Sequence, residues 1–139
     1  MNTNYMNIRL AKIEDVDFIK KIHKQSSKHI GNFNLFWVWD KYINKEAKHR
    51  YVIIEGKGFM RYGYSKKYSA YVLHEIAVDT DCKKKGVGKA LYNYLPKPLL
   101  LKCNQDNEAG NLFYNNMGMT KAGTTKTSAG VKQNIWWAT

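Results

Sequence analysis

The chain has 139 residues, the length of one domain, and its 44% hydrophobic and 14% aromatic content is globular, which excludes a disordered or low-complexity protein. Its longest apolar runs, "LFWVW" and "LLL", fall far short of the roughly 20 residues that cross a bilayer, and the N-terminus has no basic-then-apolar pattern. A soluble cytoplasmic protein with no membrane partner is expected. The formal charge of +12 favours anionic partners, nucleic acid among them, yet all basic residues except Arg9, Arg50 and Arg61 are lysine, the composition of an AT-rich genome.

In chain order, "NIRL" reads as a short strand from Asn7 to Leu10. A helix follows, with Ile13, Val16, Ile19 and Ile22 near helical spacing and Glu14, Asp15 and Asp17 in the first turn, where the helix dipole favours acids. "NLFWVWDKYINKEA" predicts a second, aromatic-rich helix. "RYVIIEG" and "GFMRYGYS" read as a hairpin around Gly56, Lys57 and Gly58, and "SAYVLHEIAVD" as a longer strand rich in β-branched residues. "GVGKALYNYL" is a helix stopped before Pro96 and Pro98, "PLLLKCN" a buried strand, and "NEAGNLFYNNMG" a helix ended by Gly118. Two last strands flank a Thr/Gly/Ser-rich loop at Gly123 to Gly130. Consecutive strands followed by alternating ones predict a mixed sheet covered by helices.

Cys82 and Cys103 form no CxxC motif and no metal-ligand spacing with histidine, so free thiols and no metal are expected. The stretch "VDTDCKKKGVGKAL" is more telling. A strand, a lysine-rich glycine turn and a helix form the context in which backbone amides converge on a phosphate. The turn is too short for GxxxxGK[ST] and lacks the third glycine of GxGxxG, so a pyrophosphate cradle of another type is implied.

This stretch resembles the acetyl-coenzyme A signature of the GNAT superfamily of N-acetyltransferases, a strand ending in Val followed by [Q/R]xxGxG[A/G] and a helix. Lys83 takes the [Q/R] position, and Gly86, Val87 and Gly88 complete the pattern; Thr80 stands where many members have Pro. "NEAGNLFYNNMGM" is similar to the family's later motif, with Asn107, Phe113, Tyr114 and Gly118 in register, Gly110 for the usual Ala and Met119 for the usual Phe. The resemblance implies an α/β (α+β) GNAT fold over residues 1–139 as a single domain, with a mixed, mostly antiparallel sheet of about six or seven strands and about four helices.

It implies further an acyltransferase that moves acetyl from acetyl-CoA to an amine, with no metal. The donor would be held by the amides of Lys83, Lys84, Lys85, Gly86, Val87, Gly88 and Lys89, by backbone groups of Ala77 and Val78, and by the Asn107 and Tyr114 side chains. Tyr114, about two helical turns after Asn107, is the implied general acid. Glu75 and His74 are the candidate bases, with deprotonation through water as the alternative; alternation along a strand directs the two to opposite faces, so only one can face the acceptor. His23, His29 and His49 are expected to be solvated.

The acceptor stays open between a small-molecule or peptide amine, an amine carried by nucleic acid (charged tRNA or a modified DNA base), and no acceptor at all in a basic binding module. Net charge disfavours polycationic acceptors. Phe33 and Trp37, within an aromatic-basic segment, and Glu75 on its strand are the candidate acceptor-binding residues, and a homodimer is common among similar proteins.

Overall fold

The structure, a computed structural model, describes residues 6–26 and 49–139. They contain strands β1 (Ile8–Leu10), β2 (Arg50–Ile54), β3 (Gly58–Ser65), β4 (Ala70–Val78), β5 (Leu99–Asn104), β6 (Thr120–Lys126) and β7 (Lys132–Ala138), and helices α1 (Val16–Gln25), α2 (Val87–Tyr94) and α3 (Glu108–Asn116). The strands form one seven-stranded sheet in the order β1-β2-β3-β4-β5-β7-β6. Every neighbouring pair is antiparallel except β4 with β5, so the sheet is mixed and mostly antiparallel as expected. The predicted helix "NLFWVWDKYINKEA" lies outside the described residues.

Each face of the sheet buries its own apolar set. Val16, Ile19 and Ile22, one stripe of α1, pack on Tyr51, Ile53, Phe59 and Ala77. Ile13, which the spacing assigned to that stripe, sits in a preceding 3-10 turn and is 55% exposed. Asp15 fixes this turn by accepting from the Lys12 amide at 2.7 Å and from both terminal nitrogens of Arg9 at 2.8 and 3.0 Å. The Arg9 hydrogen bonds hold its carboxyl below the usual range.

The opposite face carries the larger core, in which Val52, Met60, Leu73, Leu91, Leu101 and Trp136 are buried beneath α2 and α3. α3 is tied to the sheet by Asn111, whose Nδ2 donates to the Asn104 and Asn107 carbonyls, both at 2.9 Å, while its Oδ1 accepts from Asn134 at 3.1 Å and Trp136 Nε1 at 2.9 Å. One amide side chain thereby joins α3, β5 and β7 with all its capacity used. The helix ends where Gly118 turns left-handed at φ +87° and the Met119 amide donates back to the Tyr114 carbonyl at 3.1 Å.

The loop expected from Gly123 to Gly130 is shorter. Gly123 to Lys126 belong to β6, which pairs with β7 through Lys126 opposite Lys132. Cross-strand pairing overrides the weak strand preference of Gly and Lys. The turn that remains is closed by Thr127, whose amide and hydroxyl bond Val131 at 2.9 and 3.1 Å.

Between β3 and β4 the register shifts once: Arg61 opposes Glu75 but Tyr62 opposes Leu73, leaving His74 as an extra residue. This is a β-bulge, which bends its strand and interrupts the alternation of faces. β4 then pairs with β5 only through Tyr71, Val72 and Leu73, so beyond the bulge the two parallel strands separate.

Gly58 makes the β3–β4 contact close, because a Cβ there would stand 2.8 Å from the Ala77 carbonyl oxygen and 3.2 Å from Val87 Cγ1. Gly58→Ala is expected to destabilise the fold by about 1–3 kcal/mol, since backbone must shift to admit the methyl. Chemical denaturation of the two proteins measures it.

Candidate functional site

The C-terminal end of β4 leads into a 3-10 turn, Thr80–Cys82, capped by the Asp79 carboxylate, which accepts from the Asp81 amide at 3.0 Å. From Lys83 the backbone curls: φ is −66° at Lys83, +64° at Lys84 and +83° at Gly86, the residue that starts α2. Such changes of hand between neighbouring residues form anion-binding concavities. A Cβ on Gly86 would meet nothing within 4 Å, so glycine is needed there for its left-handed φ and not for space. A Cβ on Gly88 would make an ordinary 3.5 Å contact with the Phe113 ring.

No side chain caps α2, and the first intrahelical bond is that of the Ala90 amide to the Gly86 carbonyl at 3.0 Å. The amides of Val87, Gly88 and Lys89 therefore lack helical acceptors, at the positive end of the helix dipole. Val87 is buried and anchors the turn, while Lys83, Lys84, Lys85 and Lys89 are exposed around it.

The strand edge beside this turn is open as well. The Asp79 amide donates to the Lys57 carbonyl at 2.8 Å, and backbone groups alternate along a strand, so those of Ala77 and Glu75 also face β3. The Ala77 carbonyl lies against Gly58 accordingly. Ala77 is therefore not a backbone contact for a ligand in the gap, contrary to the expectation from sequence. Val78, and Ile76, which that reading missed, turn their amides and carbonyls toward the space that β5 has left.

Tyr114 projects from α3 into the larger core, 8% exposed, beside Phe113 at a ring-centroid distance of 5.4 Å. Burial, then the neighbouring Cys103 and Tyr92, push its phenol well above the ordinary value, and its hydroxyl has no hydrogen-bond partner among the described residues. Asn107 caps α3, its Oδ1 accepting from the Gly110 amide at 3.0 Å, which leaves its Nδ2 to donate elsewhere. A Cβ at Gly110 would come within 2.5 Å of that Nδ2 and 3.0 Å of Cys103 Sγ, a local reason for glycine at this position.

His74 and Glu75 do not point to opposite faces. The bulge interrupts alternation, and both cluster around Arg61 on the α1 side of the sheet. Arg61 donates from Nε and Nη2 to Glu75 Oε1 at 3.2 and 2.9 Å, and its Nη1 lies 2.7 Å from His49 Nδ1. An always-charged guanidinium donates there, so the His49 proton resides on Nε2. The His49 and His74 rings stand 4.8 Å apart, so His49 is part of a cluster rather than merely solvated. Arg61 and His49 escaped the sequence reading; a lone arginine inside the apolar strand "GFMRYGY" was the available signal for the first.

Glu75 is 4% exposed, and its second oxygen, Oε2, is buried without a partner among the described residues. Burial raises its carboxyl above the ordinary value against the opposing pull of Arg61. His74 lines a cleft of about 750 Å³ together with His49, Tyr68, Lys66 and Lys102. Its ring is exposed to that cleft, and desolvation, then Arg61 and His49, lower its imidazole below the ordinary value, so it is neutral at physiological pH. Phe33 and Trp37 lie outside the described residues, and no group of acids, cysteines and histidines that could hold a metal occurs among the described ones.

Removing Arg61 would leave the Glu75 carboxylate buried and uncompensated. Arg61→Met is expected to cost about 3–5 kcal/mol at neutral pH. A carboxyl whose folded pKa is raised holds its proton more tightly when folded, so its contribution is fullest at low pH and is lost as pH rises past the unfolded value. The deficit should therefore shrink as pH falls and the carboxyl takes up its proton, which urea unfolding at neutral and at acidic pH tests.

No protein-family model and no curated protein matches this sequence. Solved structures do resemble its fold. Ard1 from Thermoplasma volcanium superimposes with a TM-score of 0.78 at 17% identity, covering 95% of each chain. The yncA protein of Salmonella typhimurium, solved with its cofactor acetyl-CoA, gives 0.74 at 16% identity over 96% of this chain and 93% of the other. The ribosomal-protein-S18-alanine N-acetyltransferase of Escherichia coli gives 0.70 at 18% identity over 96% and 92%. The chain has the GNAT acetyltransferase fold.

Proposed function

We propose that this chain is an acetyl-CoA-dependent N-acetyltransferase, moving an acetyl group directly to a primary amine of a small molecule or peptide, and that residues 1–139 form one catalytic domain. One observation carries the reading: the uncapped, lysine-ringed start of α2 and the open edge of β4 meet at the same end of the same strand. A coenzyme A molecule needs both, an anion site for its diphosphate and a strand-like edge for the amides of its pantetheine arm. Fold alone would not suffice, since one fold hosts many functions.

The residues present fit the donor. The amides of Val87, Gly88 and Lys89 suit phosphate oxygens, with Lys83, Lys84, Lys85 and Lys89 offsetting the charge. Ile76 and Val78 offer the backbone groups that an extended amide chain pairs with, and Asn107 retains Nδ2. Bound acetyl-CoA supplies an acetyl group activated as a thioester. Tyr114 keeps its proton because burial disfavours the phenolate, and holds it for a departing thiolate as a positioned donor. Of the two candidate bases, His74 lines the cleft, and desolvation, then Arg61 and His49, make its imidazole a weaker proton acceptor than usual. Glu75, whose carboxyl burial raises and whose Oε2 is unpartnered among the described residues, takes that role in this reading.

Labelled acetyl groups should pass from acetyl-CoA into a mixture of small amines and peptides, and Tyr114→Phe should lower turnover about 10²-fold while donor binding persists. An unchanged rate removes Tyr114 from the mechanism, and absence of donor binding by the unaltered protein overturns the reading. Because the carboxylate form of Glu75 is the active one, kcat/KM should fall as pH drops through its raised pKa. Glu75→Gln should be slow throughout and lack that limb. Gly86→Val should weaken donor affinity, since a β-branched residue resists the φ of +83° that shapes the turn.

A further inference from the structure

The cleft on the α1 side of the sheet begins where β4–β5 pairing stops, with Leu73 and His74 in its lining. If the preceding reading holds, an acceptor amine enters here. Among the described residues, the charges around this cleft are one-sided. Lys66, from the β3–β4 turn, and Lys102, on β5, are the ionised residues in its described lining, and no carboxylate joins them. Glu75, the nearby acid, is buried beneath and engaged by Arg61. His74 is neutral, so it adds no compensating charge of either sign.

Tyr68 adds an aromatic wall. Lys102 Nζ stands 5.9 Å from its ring centroid and Lys67 Nζ 5.2 Å, so the ring gathers two ammonium groups at one end of the cleft. A ligand with a second amine would meet only repulsion at that end. A carboxylate or phosphate would meet lysine donors, in a space of about 750 Å³ that suits a compact ligand.

We propose, resting on the acetyl-transfer reading, that the acceptor is a compact primary amine carrying a carboxylate or phosphate, and that Lys66 and Lys102 select it by binding that anion. These two residues are specificity determinants and take no part in the transfer itself. Two sources share this chemistry, a free amino acid-like compound and the N-terminus of an acidic peptide. Polycationic amines are excluded by the same charges.

The test uses the full chain with acetyl-CoA and two matched pairs of probes: tyrosine against tyramine, and a C-terminally amidated Ser-Glu-Glu peptide against amidated Ser-Gln-Gln. For at least one pair, the anionic member should be preferred about tenfold in kcat/KM, as hydrogen bonds to a charged group allow. Lys66→Glu and Lys102→Glu should each erase that preference by raising KM with kcat retained, and added salt should weaken it. Whichever pair responds identifies the source.

Equal or better use of tyramine and the Gln peptide would overturn the proposal while leaving acetyl transfer standing. So would a preference that survives both charge reversals, or transfer confined to an amine on RNA or DNA. Binding of the same probes, followed by NMR in the presence of coenzyme A, separates the two readings. Lysine-dependent binding of the anionic probes without transfer keeps the anion-selecting role of Lys66 and Lys102 and sinks the transfer reading; indifferent binding sinks that role.

Discussion

β4 carries one residue more than β3 between the Arg61–Glu75 and Tyr62–Leu73 pairs, and the arrangement of the site follows from that surplus. A strand with an extra residue must bend and twist more than its partner. β4 stays with β3 and therefore leaves β5, to which it is hydrogen-bonded only through Tyr71, Val72 and Leu73. The gap exposes the backbone of Ile76 and Val78, and the lost alternation gathers His74 and Glu75 on one face. The bent strand delivers its end to the lysine turn. Tyr114 and Glu75 stand on opposite sides of the sheet with this gap between them.

Such an opening weakens a sheet, and two polar devices hold its borders. On the β5 side, Asn111 bonds the Asn104 and Asn107 carbonyls and receives Asn134 and Trp136, so α3 keeps a fixed position relative to β5 and β7. On the β4 side, Arg61 binds the buried Glu75 across the bulge. A buried ion pair is costly to desolvate and adds little net stability, but an unmatched partner is severely penalised, so it enforces one local arrangement. Below the gap the apolar sets of both faces are well buried, and they supply the packing that these polar groups orient.

Much of this was legible in the sequence where the determinants are local. The strand, turn and helix around Gly86 and the α3 segment around Tyr114 depend on glycine conformation, apolar period and caps, all within a few residues of one another. What was illegible depends on partners far apart in the chain. Strict period-2 alternation assigned His74 and Glu75 to opposite faces because the surplus residue appears only when β4 is set against β3. Ala77 was misassigned for a related reason: which backbone groups face the gap depends on the pairing with Phe59, not on the motif. His49 gained its role from Arg61 on another strand, and Gly123 was read as loop because its pairing with Ile135 of β7 lies outside its own neighbourhood.

β6, at one border of the sheet, has consequences beyond the site. Its residues are mostly exposed, Lys121 and Lys126 stand along it, and its register shifts between Lys121 and Gly123. A free strand border is a template on which another chain can add itself, and charge together with an irregular register are the means by which proteins blunt it. A strand arriving from a neighbouring molecule would have to set its own side chains against those ammonium groups and match a broken ladder. The border is thereby poorly suited to edge-to-edge aggregation, even at the high concentrations of a crowded cell.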